Sequence, residues 1–127
     1  PFDNSAMDGY AVKVKDASKC VKVTQTIFAG DNSNATLEDG FAIKIMTGAK
    51  IPNATECIVP IEDTKVCADG VVLPSHLKLS KHIRLCGEDI KKDDFLLQKG
   101  TKLNAHQITL LASQGISHIK VYKKPRI

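Results

Sequence analysis

Apolar and polar residues alternate with a period of two in three stretches, residues 10–15, 21–27 and 41–46. That period places every second side chain on one face, so each stretch predicts a strand with one buried side. Residues 57–61 form a short apolar run. Residues 64–67 and 71–73, joined through Ala68-Asp69-Gly70, predict a hairpin in which Asp-Gly supplies a positive-φ turn. Residues 76–79, 82–85 and 94–98 add short extended pieces.

The period changes after Leu103. Asn104 can cap a helix with Gln107 reaching back to it, and Gly115 follows the last periodic residue. Leu103 and Ile108 occupy the positions of a hydrophobic staple. Ile108, Leu111 and Ala112 fall at i, i+3 and i+4 and predict the buried face, while His106, Thr109 and Gln114 face water or a neighbouring element. Residues 118–122 then read as a returning strand. The expected fold is mainly β with one α-helix, an α+β chain. An irregular barrel-like β domain over residues 1–85 is followed by part of a small α/β domain over residues 86–127, with its helix near 104–114. No internal repeat is present.

At 127 residues with 43% hydrophobic and 25% charged positions, the chain has the composition of an ordinary folded domain, or of a small domain plus part of another. This excludes low complexity and disorder. No apolar run reaches the ~18 residues of a membrane span, and the first residues have neither a basic start nor an apolar stretch, so neither a span nor signal-driven export is expected. The net charge of +4 is spread along the chain, and the absence of Trp with only two Tyr and four Phe leaves little material for stacking nucleic-acid bases. Cys20, Cys57, Cys67 and Cys86 are widely separated, form no Cys-x-x-Cys pair, and are expected as reduced thiols in a cytoplasmic protein. The start at Pro1 and the end at Lys123-Lys124-Pro125-Arg126-Ile127 give the expectation of an excerpt, with Pro125 at the exit from a strand into a linker.

Three loops carry the candidate chemistry. Asp3-Asn4-Ser5-Ala6-Met7-Asp8-Gly9 brings two carboxylates and a hydroxyl into a turn before a strand. The same residues also suit a plain turn closed by local side-chain hydrogen bonds. Met46-Thr47-Gly48-Ala49-Lys50-Ile51-Pro52 offers a hydroxyl, a glycine that lets backbone approach a ligand, and a cation, so it could hold an oxyanion; it lacks the pattern of a phosphate loop. Arg84-Leu85-Cys86-Gly87-Glu88-Asp89 ends in adjacent acids that can take a divalent cation, magnesium first, or form a solvated turn. The four histidines have no nucleophile or ligand at telling spacing, and the terminal Lys123, Lys124 and Arg126 read as a solvated linker.

Taken in order, Asn4-Ser5-Ala6-Met7-Asp8-Gly9-Tyr10-Ala11-Val12, then Ile45-Met46-Thr47-Gly48-Ala49 with Pro52, then Ile83-Arg84 and Gly87-Glu88-Asp89-Ile90, resemble the molybdopterin molybdotransferase family of MoeA and the gephyrin E-domain. Gly100-Thr101-Lys102-Leu103, Leu111-Ala112-Ser113 with Gly115-Ile116, and the run from Val121 to Arg126 extend the resemblance over essentially the whole chain. Departures are Lys50 where many members have Pro, Ala54 where Gly is common, Pro60 where an apolar residue is usual, and Leu85-Cys86 where Arg often stands.

The resemblance implies an enzyme of molybdenum cofactor synthesis that inserts molybdate into adenylylated molybdopterin and releases AMP, assisted by Mg2+. Carried onto matching positions, it implies Asp8, Thr47 and Asp89 as residues of the active cleft, Asp8 and Asp89 as metal or substrate-positioning acids, and Ser5, Gly48 and Glu88 as substrate contacts. It further implies a homodimer, molybdopterin adenylyltransferase as a partner, and a pterin-binding domain that this chain does not include, so that the chain alone is expected to be inactive. Two other readings stand beside it: a scaffold module of a gephyrin-like protein, and a small anion-binding β domain. Clustered cations giving a steep salt dependence would mark the last.

Overall fold

The computed structural model describes residues 2–91 and 93–123, and these divide into two compact units, Phe2–Asp89 and a second from Ile90 onward.

The first unit is built on eight strands: β1 (Asn4–Ser5), β2 (Gly9–Val12), β3 (Cys20–Ile27), β4 (Phe41–Ile45), β5 (Cys57–Pro60), β6 (Lys65–Cys67), β7 (Gly70–Val72) and β8 (Ile83–Arg84). Six of them form one sheet in the order β5-β2-β4-β3-β7-β6, and β1 pairs with β8. Only β3 and β4 run parallel. The rest of the six-stranded sheet is antiparallel.

Both faces of this sheet are covered. Tyr10, Val12, Val21, Ala42, Cys57, Val59, Val71 and Leu73 share one buried cluster. Ala11, Ile27, Leu37, Ile43, Ile45, Ala49 and Ile58 share the other. Adjacent residues of β2, β4 and β5 therefore go to opposite cores, which explains why β5 is an unbroken apolar run rather than an alternating one. In β3, Val21 lies in the first cluster and Ile27 in the second, although six residues separate them and a regular strand would put both on one side. The pairing of Val23 with Ala42 and Thr26 with Lys44 accounts for it: one extra residue on β3 forms a bulge that reverses the face.

The strands expected at 21–27 and 41–46 and the hairpin at 64–73 are present within a residue or so. The strand expected over 10–15 ends at Val12, because Val14–Asp16 turn into a 3-10 helix whose Asp16 is buried, accepting from the Gly40 N–H at 2.9 Å and from Lys19 at 3.3 Å. The hairpin turn is Ala68–Asp69 rather than a positive-φ Asp-Gly turn. Gly70 instead opens β7, where a Cβ would run into the Val21 carbonyl. Residues 76–79 form no strand, and within 82–85 only Ile83–Arg84 pair.

Cys20 and Cys67 are joined in a disulfide, with Cα atoms 6.4 Å apart, which corrects the expectation of four reduced thiols. The two are 47 residues apart in sequence, but β3 and β6 both flank β7, and the sheet topology makes neighbours of them. Cys57 stays a thiol whose pKa burial pushes up to about 11, and Cys86 is an exposed thiol.

In the second unit α1 (Ala105–Ser113) starts where the sequence predicts. Asn104 Oδ1 accepts from the N–H groups of His106 (2.9 Å) and Gln107 (3.4 Å), and Gln107 Oε1 accepts from Asn104 N–H (3.3 Å), a complete capping box. At the other end Gly115 N–H reaches Ala112 O (2.9 Å) and Ile116 N–H reaches Leu111 O (3.0 Å), closing a Schellman motif. The predicted buried face is narrower than expected. Leu111 is 9% exposed but Ile108 is 57% exposed, and Ala112 faces solvent. The segments 94–98 and 118–122 form no strands, so the described residues of this unit hold no sheet of their own. Leu111, Leu103, Ile116 and Ile119 instead line an open, mainly apolar hollow of about 1130 Å³ within this unit. The strand exit expected at Pro125 lies outside the described residues. No helix among those described is long and apolar enough to cross a membrane.

Candidate active site

The three loops singled out in the sequence meet at β1. On one side β1 pairs with β8 through Asn4↔Arg84 and Ser5↔Ile83. On the other, Ser5 N–H donates to Ala49 O (3.0 Å), Gly48 N–H donates to Ser5 O (2.8 Å), and Asn4 bridges to Lys50. Segments 3–8, 46–51 and 83–89 are thus one surface of the first unit.

Asp8 and Thr47 are brought together by strand register. Gly9 of β2 lies opposite Ile45 of β4 in an antiparallel pair, so the chain just before Gly9 meets the chain just after Ile45. Thr47 donates twice to Asp8 Oδ1, from its backbone N–H and from its hydroxyl, each at 2.7 Å. These two bonds, backbone first, hold the Asp8 carboxyl below its ordinary pKa, and Lys44 adds a smaller electrostatic contribution in the same direction. Asp8 is exposed, ionised at neutral pH, and its Oδ2 has no hydrogen-bond partner among the described residues. A fixed carboxylate with one oxygen held and one free can orient a donor or a cation.

Gly48 takes φ +80, a left-handed conformation that L side chains rarely adopt, and this lets the loop fold back so that its N–H meets Ser5. Ser5 is fully buried; its hydroxyl donates to Met7 O at 2.6 Å. Its side chain closes the turn that presents Asp8, and the loop backbone of Gly48 is already paired. Ser5 shapes the surface from within, while Gly48 is itself exposed.

Glu88 is exposed, and its Oε2 accepts from Leu85 N–H at 3.1 Å, closing the loop on itself. Asp89 is exposed with no hydrogen-bond partner among the described residues. No group of three His, Cys, Asp or Glu side chains able to hold a metal occurs among those residues. Magnesium commonly takes only one or two carboxylates and completes its octahedron with water and phosphate oxygens, so an exposed carboxylate with a free oxygen, as Asp8 and Asp89 each have, is of the chemical kind that could contribute a ligand.

One contributor, Lys44, and one contact, that of Asp3, escaped sequence reasoning. Lys44 stands beside Tyr10 in the β2–β4 register and reaches Asp8 electrostatically, which no local pattern announces. Asp3 bonds to Cys86 N–H at 2.7 Å across 83 positions of sequence, a contact only the fold creates.

The family model described as MoeA N-terminal region (domain I and II) matches residues 1–115. The chain belongs to this family. A molybdopterin molybdenumtransferase of Haemophilus influenzae is 40% identical over 129 residues, which covers 99% of this chain and 32% of the relative. One from Staphylococcus aureus is 34% identical over 133 residues, with the same coverage of 99% and 32%. The crystal structure of a molybdopterin biosynthesis MoeA protein from Pyrococcus horikosii superimposes with a TM-score of 0.77 at 31% identity, over 91% of this chain and 32% of that one. The mainly β architecture with one helix is therefore a MoeA-family architecture, and the chain spans about a third of the length of the relatives it matches.

Proposed function

We propose that this MoeA-family chain supplies the β-rich side of a site at which molybdate is inserted into adenylylated molybdopterin with release of AMP. The observation that carries the reading is the pair of Thr47 bonds to one oxygen of Asp8, made where the three loops converge. That arrangement fixes a carboxylate before substrate arrives, and pre-fixed polar groups are what lower a barrier without reorganisation at the moment of reaction. Names of relatives that refer to molybdopterin and molybdenum transfer support the substrate class.

In this reading Asp8 and Asp89 orient the adenylated substrate, Thr47 holds Asp8, Glu88 shapes the acidic loop, and Ser5 and Gly48 keep the turn closed beneath it. Mg2+, when bound by Asp8 and Asp89 together with substrate phosphates, supplies neutralisation of phosphate charge. In the same reading the longer polypeptide acts as a homodimer, receives its substrate from molybdopterin adenylyltransferase, and works in the cytoplasm. The chain by itself is inactive.

The test is molybdate-dependent AMP release by the longer polypeptide carrying this chain, with Asp8→Asn compared at matched thermal stability. Asparagine keeps the shape and the acceptor for Thr47 but removes the charge. The expected loss is two or more orders of magnitude, about 3 kcal/mol of transition-state stabilisation. Unchanged turnover would return Asp8 to the role of a structural turn residue.

A further inference from the structure

Asp3 touches both of the loops that complete the candidate site. Its side-chain Oδ1 accepts from the Cys86 N–H at 2.7 Å, and its backbone carbonyl accepts from the Ile51 N–H at 2.9 Å. Ile51 closes the loop that carries Thr47, and Cys86 sits three residues before Asp89. The next residue, Asn4, repeats the arrangement in the backbone, facing Arg84 on one side and Lys50 on the other.

Loop 84–89 needs such a tie. β8 is two residues long, Leu85 to Asp89 form no strand, and Leu85, Cys86, Glu88 and Asp89 are all exposed. Beyond Arg84, the loop's hydrogen bonds among the described residues are those it makes to itself, Glu88 N–H to Leu85 O (3.0 Å) and Glu88 Oε2 from Leu85 N–H (3.1 Å), and the one from Cys86 to Asp3. The self-contained pair fixes the loop's internal shape. Beyond the β1–β8 pairing that ends at Arg84, the Asp3 bond is the one hydrogen bond among the described residues that ties that shape to the segment bearing Asp8. A charged acceptor makes this bond stronger than a neutral pair would.

We propose that Asp3 is a positioning residue: its carboxylate docks the Glu88–Asp89 loop against the Asp8 turn, so that the acids from two distant parts of the chain face one substrate. This deepens the proposed function and rests on it for the catalytic consequence, while the docking itself is a property of this chain. A misplacement of about 1 Å in a positioned group can cost of the order of a hundredfold in rate, so a tie of this kind can matter without touching substrate.

Two variants test it, Asp3→Ala, which removes the acceptor, and Asp3→Asn, which keeps an oxygen acceptor and loses the charge. In this chain, amide hydrogen exchange is read at Cys86 and, as a control, at Ile43 in the buried sheet. Docking predicts that Asp3→Ala speeds exchange at Cys86 at least tenfold with Ile43 unchanged, and that Asp3→Asn restores most of the protection. In the longer polypeptide, Asp3→Ala is expected to lower kcat for AMP release about tenfold, and Asp3→Asn to stay within about threefold of the parent.

Unchanged exchange at Cys86 would overturn the proposal, as would equal acceleration at Ile43, which would make Asp3 a general stabiliser. An Asp3→Asn variant that keeps the Cys86 protection yet is as inactive as Asp3→Ala would overturn it differently, by giving the charge itself a direct part in the reaction. If instead Asp8→Asn leaves turnover untouched while Cys86 exchange responds as expected, the proposed activity fails and the docking role stands.

Discussion

A single side-chain geometry decides how Asp8 behaves. Thr47 donates to it from both backbone and hydroxyl, and Thr47→Val removes only the second bond. The Asp8 pKa should then rise toward the ordinary carboxylate value, as a carboxyl NMR titration of both chains would report; no rise would mean that the hydroxyl bond contributes nothing in solution. The sign for stability follows from linkage. Because the folded-state pKa is depressed, the bonds to the charged form contribute fully above the unfolded value and are lost as pH falls through the folded one. Ala54 gives a second prediction at this scale. Its φ of +64 lies in the left-handed region that costs an L-residue roughly 1–2 kcal/mol. Ala54→Gly should therefore stabilise the chain by about 0.5–1 kcal/mol once the extra unfolded-state entropy of glycine is subtracted. Denaturant unfolding checks it, and a destabilised variant would show that Ala54 contributes packing the backbone angle does not reveal.

Among the elements, the disulfide and the helix show where sequence reading reaches and where it stops. The capping box of α1 lies within four consecutive residues, so Asn104 and Gln107 announced it. The Cys20–Cys67 bond depends on β3 and β6 lying on either side of β7, which spacing along the chain cannot express. Edge strand β6 is only three residues long and its Val66 is 90% exposed, so little packing holds it. The cross-link should matter correspondingly. Cys67→Ser, or reduction, is expected to lower stability by about 2–4 kcal/mol, since the bond closes a long loop in the unfolded chain. An unchanged unfolding midpoint with and without reductant would show that the thiols stay unpaired in solution. The failed expectation of a strand over 118–122 has another cause: alternation identifies a chain fit for a sheet, but a strand also needs a partner, and the second unit provides none among the described residues.

For the molecule as a whole, the first unit and its three site loops were legible because strand periodicity and local motifs carried them; their convergence on β1 was not, because long-range pairing has no local signature. Surface charge adds a testable acid response. Lys13 at 2.7 Å and Lys15 hold the Asp39 carboxylate down to about 2, against an ordinary value of 3.8. Their contribution to stability should be intact above pH 3.8 and disappear as pH falls toward 2. Asp39→Asn should flatten that part of the stability profile, measured by thermal melting across the range; the pair is exposed, so the effect is small. An unchanged profile would assign the acid limb to other carboxylates. The bulge in β3 has a consequence for how this sheet tolerates change. Between Val23 and Thr26 the strand carries a phase shift of one residue, so sidedness downstream depends on odd or even chain length. Deleting Gln25 would remove the extra residue and leave Ile27 facing the second core by plain alternation, whereas inserting one residue with the bulge kept would turn it toward the first. A length change that a surface loop absorbs without effect is here a change of sign.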